Sequence, residues 1–316
     1  MEVTFNAYRR EPGEAEYRRG VYKLDLPEDA TIMDGMLKIR DEEDPNFAFR
    51  GSCLRGYCGD CMMSINGKNT FACTAKVANF MNRPEIALRP IRMVPVIKDL
   101  VFDWDAFMWN KIKVLNPWIE PQESTDGVRT VPDKVMADLR NAMSCYYCGL
   151  CDEGCTVLPV DMKFLGPAAL TKAYRLAADP RDKNPGEHLK MAQQAEGIWD
   201  CVHCYEASEH CPRNIGPTER IVQLRDMAFE KGITNERVAR HHTSFAASVK
   251  ASGWLDEARL AIESEGLTNI SGLMKLLPIA ARAAIKGKAP IPYLHHKRPG
   301  AKRITEIFEK GDERGK

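Results

Sequence analysis

Eleven cysteines constrain this chain of 316 residues more than any other feature, because they are clustered rather than scattered. Four lie at positions 53 to 73, four at 145 to 155 and three at 201 to 211. The count is odd, and the opening MEVTFNAYRREPGE has no apolar signal core, which together read as a cytoplasmic chain whose thiols hold metal rather than disulfides. Lys and Arg number 45 against 44 Asp and Glu, a net charge of +1 that lacks the basic footprint of a nucleic-acid binder. With 44% hydrophobic and 28% charged residues and no run of 18 apolar positions, the composition is that of a folded protein without multiple membrane spans.

The chain changes character near its middle. Val3, Phe5 and Ala7 alternate as in a half-buried strand, and Tyr22, Leu24 and Leu26 form the apolar face of a second one. Thr31 is placed to cap a helix over residues 32–40, and Asn66-Gly67 between two short apolar runs signals a hairpin with a type I′ turn. One helix among short strands makes residues 1–105 a small α+β unit. Pro, Gln, Ser, Thr and Asp dominate residues 115–132, so a connecting segment is expected over 106–132. Beyond it the pattern is helical. Pro167 suits a first helical turn, residues 218–231 repeat apolar positions before Gly232, and further helices are expected near 243–252, 255–265 and 270–285. This divides the remainder into an all-α unit over 133–232 and a helical extension over 233–316 for partner contact, with a basic, loosely packed stretch from Lys286 onward.

Spacing gives the cysteines their chemistry. Cys53, Cys58 and Cys61 follow C-x4-C-x2-C with Cys73 downstream, the plant-type [2Fe–2S] ferredoxin pattern. Gly51, Gly56 and Gly59 let backbone N–H groups approach the sulfurs, and Arg55 places positive charge nearby; such donors and charges set the potential. Cys145, Cys148, Cys151 and Cys155 follow C-x2-C-x2-C-x3-C, the bacterial ferredoxin run whose fourth cysteine ligates a different cluster. The second run is Cys201, Cys204 and Cys211, with Ala207 where a complete run has cysteine. Reciprocal exchange assigns Cys145, Cys148, Cys151 and Cys211 to a [4Fe–4S] cluster. Cys155, Cys201 and Cys204 are left for a [3Fe–4S] cluster, or for a second [4Fe–4S] cluster with an oxygen or nitrogen ligand at one iron. Glu206, Ser208 and His210 are near enough in sequence to supply that ligand, although each is more commonly a plain surface residue. Three clusters, no nucleotide loop and no acid–base pair describe a wire that relays single electrons, with no catalytic residue of its own.

These motifs resemble the iron–sulfur subunits of succinate dehydrogenases and fumarate reductases. The resemblance rests on SCLRGYCGDC with Cys73, PVIKDLVFDWDAF, SCYYCGLCDEGC, FLGPAALTKAYRLAADPRD and WDCVHC with Cys211-Pro212, spanning residues 1–232. It implies a β-grasp [2Fe–2S] domain beside an FAD-containing flavoprotein subunit, followed by a helical ferredoxin domain toward the membrane. Electrons would pass through the three clusters in series. It also implies a place on the inner face of the cytoplasmic membrane, held there by partner subunits, with a quinone near the last cluster. Two departures stand out: Ala207 and Cys204 in the second run, and TVLPVDMKFLG after Cys155, which lacks the family's quinone-contacting tryptophan. The C-terminal third is similar to small subunits of heterodisulfide-reductase-like complexes and of non-classical succinate dehydrogenases, in which a cysteine-rich-domain subunit replaces the haem-bearing anchor. A thiol-dependent fumarate reductase or heterodisulfide-reductase-like complex is therefore a second reading, and a zinc-stabilised structural module is a third from another class.

Other residues invite plainer readings. His203, between two cysteines, is more commonly a helix-surface or supporting histidine than a quinone contact. His241, His242, His295 and His296 lack ligand spacing and read as polar surface. Trp104, Trp109, Trp118 and Trp199 read as packing at the junction and near the clusters. Over residues 270–285, Leu273, Leu276, Leu277, Ala280 and Ala284 form an apolar stripe beside Lys275, Arg282 and Lys286. That helix is too charged to span a bilayer; it lies on a partner or at a membrane surface, with packing on a partner or on its own chain the simpler expectation.

Overall fold

Strands β1 (Glu2–Arg9) and β2 (Arg18–Asp25) pair antiparallel with Phe5 opposite Tyr22. The computed structural model describes residues 1–92, 94–123, 130–233, 237–288 and 297–314. Helix α1 (Ile32–Lys38) starts at the capping box that Thr31 forms with Asp34 and widens into a π-turn over Ile39–Glu43. Strands β3 (Met62–Ile65) and β4 (Lys68–Phe71) form the expected hairpin, with positive φ at both Asn66 and Gly67. Strand β5 (Ile86–Arg89) then runs parallel to β1 and antiparallel to β3, giving a five-stranded sheet in the order β2-β1-β5-β3-β4. Alternation decides the buried face: Val3, Phe5, Ala7, Leu24, Ile86 and Leu88 are inside, as are Ile32 and Met36 of α1 and Ile39 of the π-turn. Gly35 lets that helix approach, since a Cβ there would stand 2.6 Å from the Phe5 ring. A small ribbon of β6 (Val96–Lys98) and β7 (Val101–Phe102) closes this half.

The helical half is organised around α5 (Gly166–Ala177), ten of whose twelve residues are buried. Helices α2 (Asn110–Val114), α3 (Asp133–Met143), α4 (Leu150–Glu153) and α6 (Pro185–Ala192) pack on it. A four-residue α7 (Glu206–Glu209) packs on α4, and α8 (Pro217–Glu230) follows. Residues 115–123, expected as a connecting segment, are bound along their length: Glu120 N–H donates to Asp182, Lys183 N–H to Glu120 and Gln122 N–H to Arg181. Residues 124–129 of that segment lie outside the described residues. Trp118 corrects the packing expectation, being 74% exposed on this surface strap.

The chain divides into two compact units, Met1–Met227 and Ala228–Lys316. In the second, α9 (Arg237–Ser252) packs on α10 (Glu257–Glu265) and α12 (Ala301–Arg314), and α11 (Ile270–Ile285) touches α10. Helix α9 begins six residues before the expected start. Helix α12 corrects the reading of a loosely packed tail: Ala301 is buried, and the Thr305 hydroxyl donates to the Lys250 carbonyl at 2.8 Å, a tertiary anchor that local sequence does not advertise. His295 and His296 lie outside the described residues. No described helix is long and apolar enough to cross a membrane.

Candidate metal centres

Cys53, Cys58 and Cys61 of the first set lie on the loop between the π-turn and β3, where Leu54, Gly56 and Gly59 take positive φ, and Cys73 follows β4. This curls the chain so that N–H groups point at sulfur. Cys53 Sγ accepts from the N–H groups of Arg55, Tyr57 and Cys58 at 3.2 to 3.4 Å, and Cys73 Sγ accepts from Gly56 N–H at 3.1 Å. The donors, Arg55 N–H foremost, stabilise the thiolate and hold Cys53 down to about 6. Cys61 Sγ lies 3.3 Å from Cys73 Sγ, and burial pushes Cys61 up to about 12. The three glycines have different surroundings. Only Gly56 donates to a cysteine. Gly51 makes room for Met33, and Gly59, at φ +76°, lies against the helical half, where an added Cβ would stand 2.5 Å from Cys148 Cβ.

The second set gathers residues distant in sequence. Cys145, Cys148, Cys151 and Cys211 line one cavity, with Thr171, Ala168 and Ile215 completing its wall. Burial pushes Cys145 up to about 11, Cys148 to about 12 and Cys151 well above its ordinary value, and in each the charge of Cys211 adds to the rise. N–H groups of Tyr147 and Leu150 oppose this by bonding Cys145 and Cys148, and Ile215 N–H donates to Cys211 Sγ at 3.4 Å. Thr171 is 1% exposed, and its hydroxyl has no hydrogen-bond partner among the described residues. A buried hydroxyl with nothing to bond, on a wall shared with four thiols, fits a sulfide-bearing cluster between them. Beside it, the Asp152 carboxyl accepts from Ala168 N–H at 2.8 Å at the start of α5, and burial raises it to about 7.

The third set is the most open. Cys155 is buried, Cys201 half-buried and Cys204 exposed, and the Thr156 hydroxyl donates to Cys204 Sγ at 3.3 Å. Burial raises Cys155 and Cys201, and each also feels a neighbouring thiol of the set. The backbone repeats the second set. Tyr147 and Gly149 have positive φ after Cys145, as do His203 and Tyr205 after Cys201, and a four-residue helix follows each loop. Cys204 thus takes the place of Cys148, and buried Ala207 the place of Cys151. Of the neighbours considered as ligands, Ser208 is turned away, bonding Glu219 and accepting from Thr218 N–H. Glu206 and His210 line a cleft with Cys155. Among the described residues no three His, Cys, Asp or Glu side chains meet at one point as a single ion needs; the four thiols of the second set stand around a cavity instead.

Arg225 is the residue the sequence reading missed. From α8 it donates to the Ile198 and Cys201 carbonyls at 2.7 Å, and its Nη1 lies 2.7 Å from His203 Nε2. Burial and this guanidinium push His203 below its ordinary value, so the imidazole is neutral, with Nε2 accepting and the proton on Nδ1. His203 is a loop residue held from behind, not a helix-surface histidine. Only the long-range contact reveals this.

A profile for a 2Fe-2S iron-sulfur cluster binding domain matches residues 4–109, and one for a 4Fe-4S dicluster domain matches residues 141–215. The 8-methylmenaquinol:fumarate reductase iron-sulfur subunit of Wolinella succinogenes is 31% identical over 76% of this chain and 77% of that protein. The chain belongs to the iron–sulfur subunits of succinate dehydrogenases and fumarate reductases. Within that family, the fumarate reductase subunit of Mycobacterium tuberculosis is 34% identical over 65% of this chain and 83% of its own. The mitochondrial succinate dehydrogenase [ubiquinone] iron-sulfur subunit 1 of Oryza sativa is 31% identical over 72% and 82%. A chain of the Mycobacterium smegmatis Sdh1 complex in the apo form shares the fold, with a TM-score of 0.66 at 21% identity over 74% of this chain and 98% of that one. As a member of this family the protein is an electron-transfer subunit that carries [2Fe–2S] and [4Fe–4S] clusters.

Proposed function

We propose that Cys53, Cys58, Cys61 and Cys73 hold the [2Fe–2S] cluster, Cys145, Cys148, Cys151 and Cys211 a [4Fe–4S] cluster, and Cys155, Cys201 and Cys204 the third. The observation that carries the reading is the cavity into which Cys211 joins three thiols some sixty residues earlier in the chain. When bound, such clusters accept and return one electron at a time. The chain's own part is to aim N–H groups at the sulfurs, exclude water from the middle set and bring the first loop against Cys148. Ala207 leaves the third set one thiolate short, which suits a [3Fe–4S] cluster or a four-iron cluster with one non-thiolate ligand. The helical boundary is proposed near residue 132 and the C-terminal extension from about 233.

On this reading the chain carries electrons between an FAD-containing dicarboxylate-active subunit and a membrane-side subunit. The likeness of the C-terminal third to subunits that work beside a cysteine-rich-domain protein favours that kind of partner over a haem-bearing anchor. Electron paramagnetic resonance on anaerobically purified protein, with iron and sulfide analysis, tests the assignment. A reducible [2Fe–2S] signal and an oxidised [3Fe–4S] signal are expected, and Ala207→Cys is expected to replace the latter with a four-iron signal. Colourless, sulfide-free protein containing zinc would refute it. Affinity purification from the native host tests the partners: a succinate-oxidising flavoprotein is expected, and a cysteine-rich-domain subunit without one would favour thiol-dependent chemistry.

A further inference from the structure

We propose that α11 is an interfacial helix that lays the second unit on an anionic lipid surface. The charge pattern is the first observation. From Gly266 to Thr305 the chain has eight Lys and Arg and no Asp or Glu, although the whole chain balances 45 against 44. The second is the helix itself. At 3.6 residues per turn its surface divides into three arcs. Gly272, Leu273, Leu276 and Ala283, the covered or half-covered positions, share the first arc of a helix that touches α10. Lys275, Arg282 and Lys286 share a second arc with Ser271. Ile270, Met274, Leu277 and Ile285 share the third and are 55% to 86% exposed.

An aliphatic arc flanked by cations is how a helix lies in a bilayer interface, with its apolar side among the acyl chains and Lys and Arg reaching back to the headgroups. Sixteen residues give a helix of about 24 Å, and no described helix can cross a membrane, so this one rests in the plane. Two observations favour lipid over a protein partner. The exposed arc lacks the aromatic anchors that dominate protein interfaces. The uninterrupted positive charge asks for an extended negative surface, which anionic headgroups present in every register. The proposal does not depend on the electron-transfer reading, and its test is separate from cluster content.

The test is sedimentation of the cluster-loaded full chain with vesicles of phosphatidylcholine alone or mixed equally with phosphatidylglycerol. Partition into the mixed vesicles is expected to be at least tenfold stronger and to weaken as salt is raised. Lys275→Glu, Arg282→Glu and Lys286→Glu combined are expected to lower it at least 100-fold, from the loss of about 1 kcal/mol for each Lys or Arg removed. Met274→Glu with Leu277→Glu is expected to lower it at least tenfold, with iron content unchanged in both variants as the control for folding. Equal partition into both vesicle types, or an unchanged partition of the charge-reversed chain, overturns the proposal. So does protection of residues 270–285 from amide exchange by a partner subunit in lipid-free complex.

Discussion

Cys53 and Cys151, both proposed as iron ligands, lie under opposite electrostatics. Cys53 lies on a curled, solvent-facing loop whose N–H groups already stabilise a thiolate. Cys151 is buried among helices, and burial with Asp152 and three neighbouring thiols holds it protonated. A ligand set in the first environment is built to tune a cluster by hydrogen bonds. One in the second is built around the cluster, which becomes part of the core and whose assembly must discharge protons.

The sharpest way to break this contrast is to remove one thiol from each set. Cys211→Ser is expected to lose the [4Fe–4S] signal and to unfold the helical half at a cost of several kcal/mol, the scale on which metal sites hold small domains. Cys53→Ser is expected to lose the [2Fe–2S] signal while the sheet stays folded; calorimetry with paramagnetic resonance on both variants checks this, and equal loss of stability would erase the distinction. Next in size is reactivity of the iron-free protein. At pH 7 iodoacetamide is expected to label Cys53 first, whereas Cys145 and Cys148, raised to about 11 and about 12, react only after urea. Mass spectrometry reads the order. Because these buried thiols titrate above their unfolded value, the stability they confer on the iron-free fold is present below about pH 8.5 and lost as pH rises past it. Melting iron-free protein at pH 7 and pH 10 tests that sign. The smallest effect is on potential: Thr171→Val removes a hydroxyl facing the second cavity. At ~1 kcal/mol for one hydrogen bond and 59 mV per tenfold for one electron, the [4Fe–4S] couple is expected to fall by about 40 mV. Redox titration followed by paramagnetic resonance measures it.

Much of this was legible in one dimension because metal ligation and tight turns are local. The C-x2-C runs, the Thr31 cap and the Asn66-Gly67 hairpin each state their geometry within a few residues. Arg225, Thr171 and α12 were not legible, because each acquires its role from residues brought near only by folding: Cys201 and His203 for Arg225, Cys211 for Thr171, Lys250 for α12. The glycines of the first loop show the boundary. Their presence announced close approach, but whether sulfur, methionine or another loop would be approached was decided by packing.

Gly59 is the glycine for which that decision counts most. With no side chain it lets the solvent-facing loop rest on the backbone of Cys148, where a Cβ would stand 2.8 Å from Cys148 Cα. Tunnelling probability decays exponentially with separation, so a residue that touches no iron sets the width of the gap between two conductors. On the proposed ligand assignment, a methyl group here would act as a spacer in the circuit, forcing the two loops apart and slowing the current between the clusters they hold.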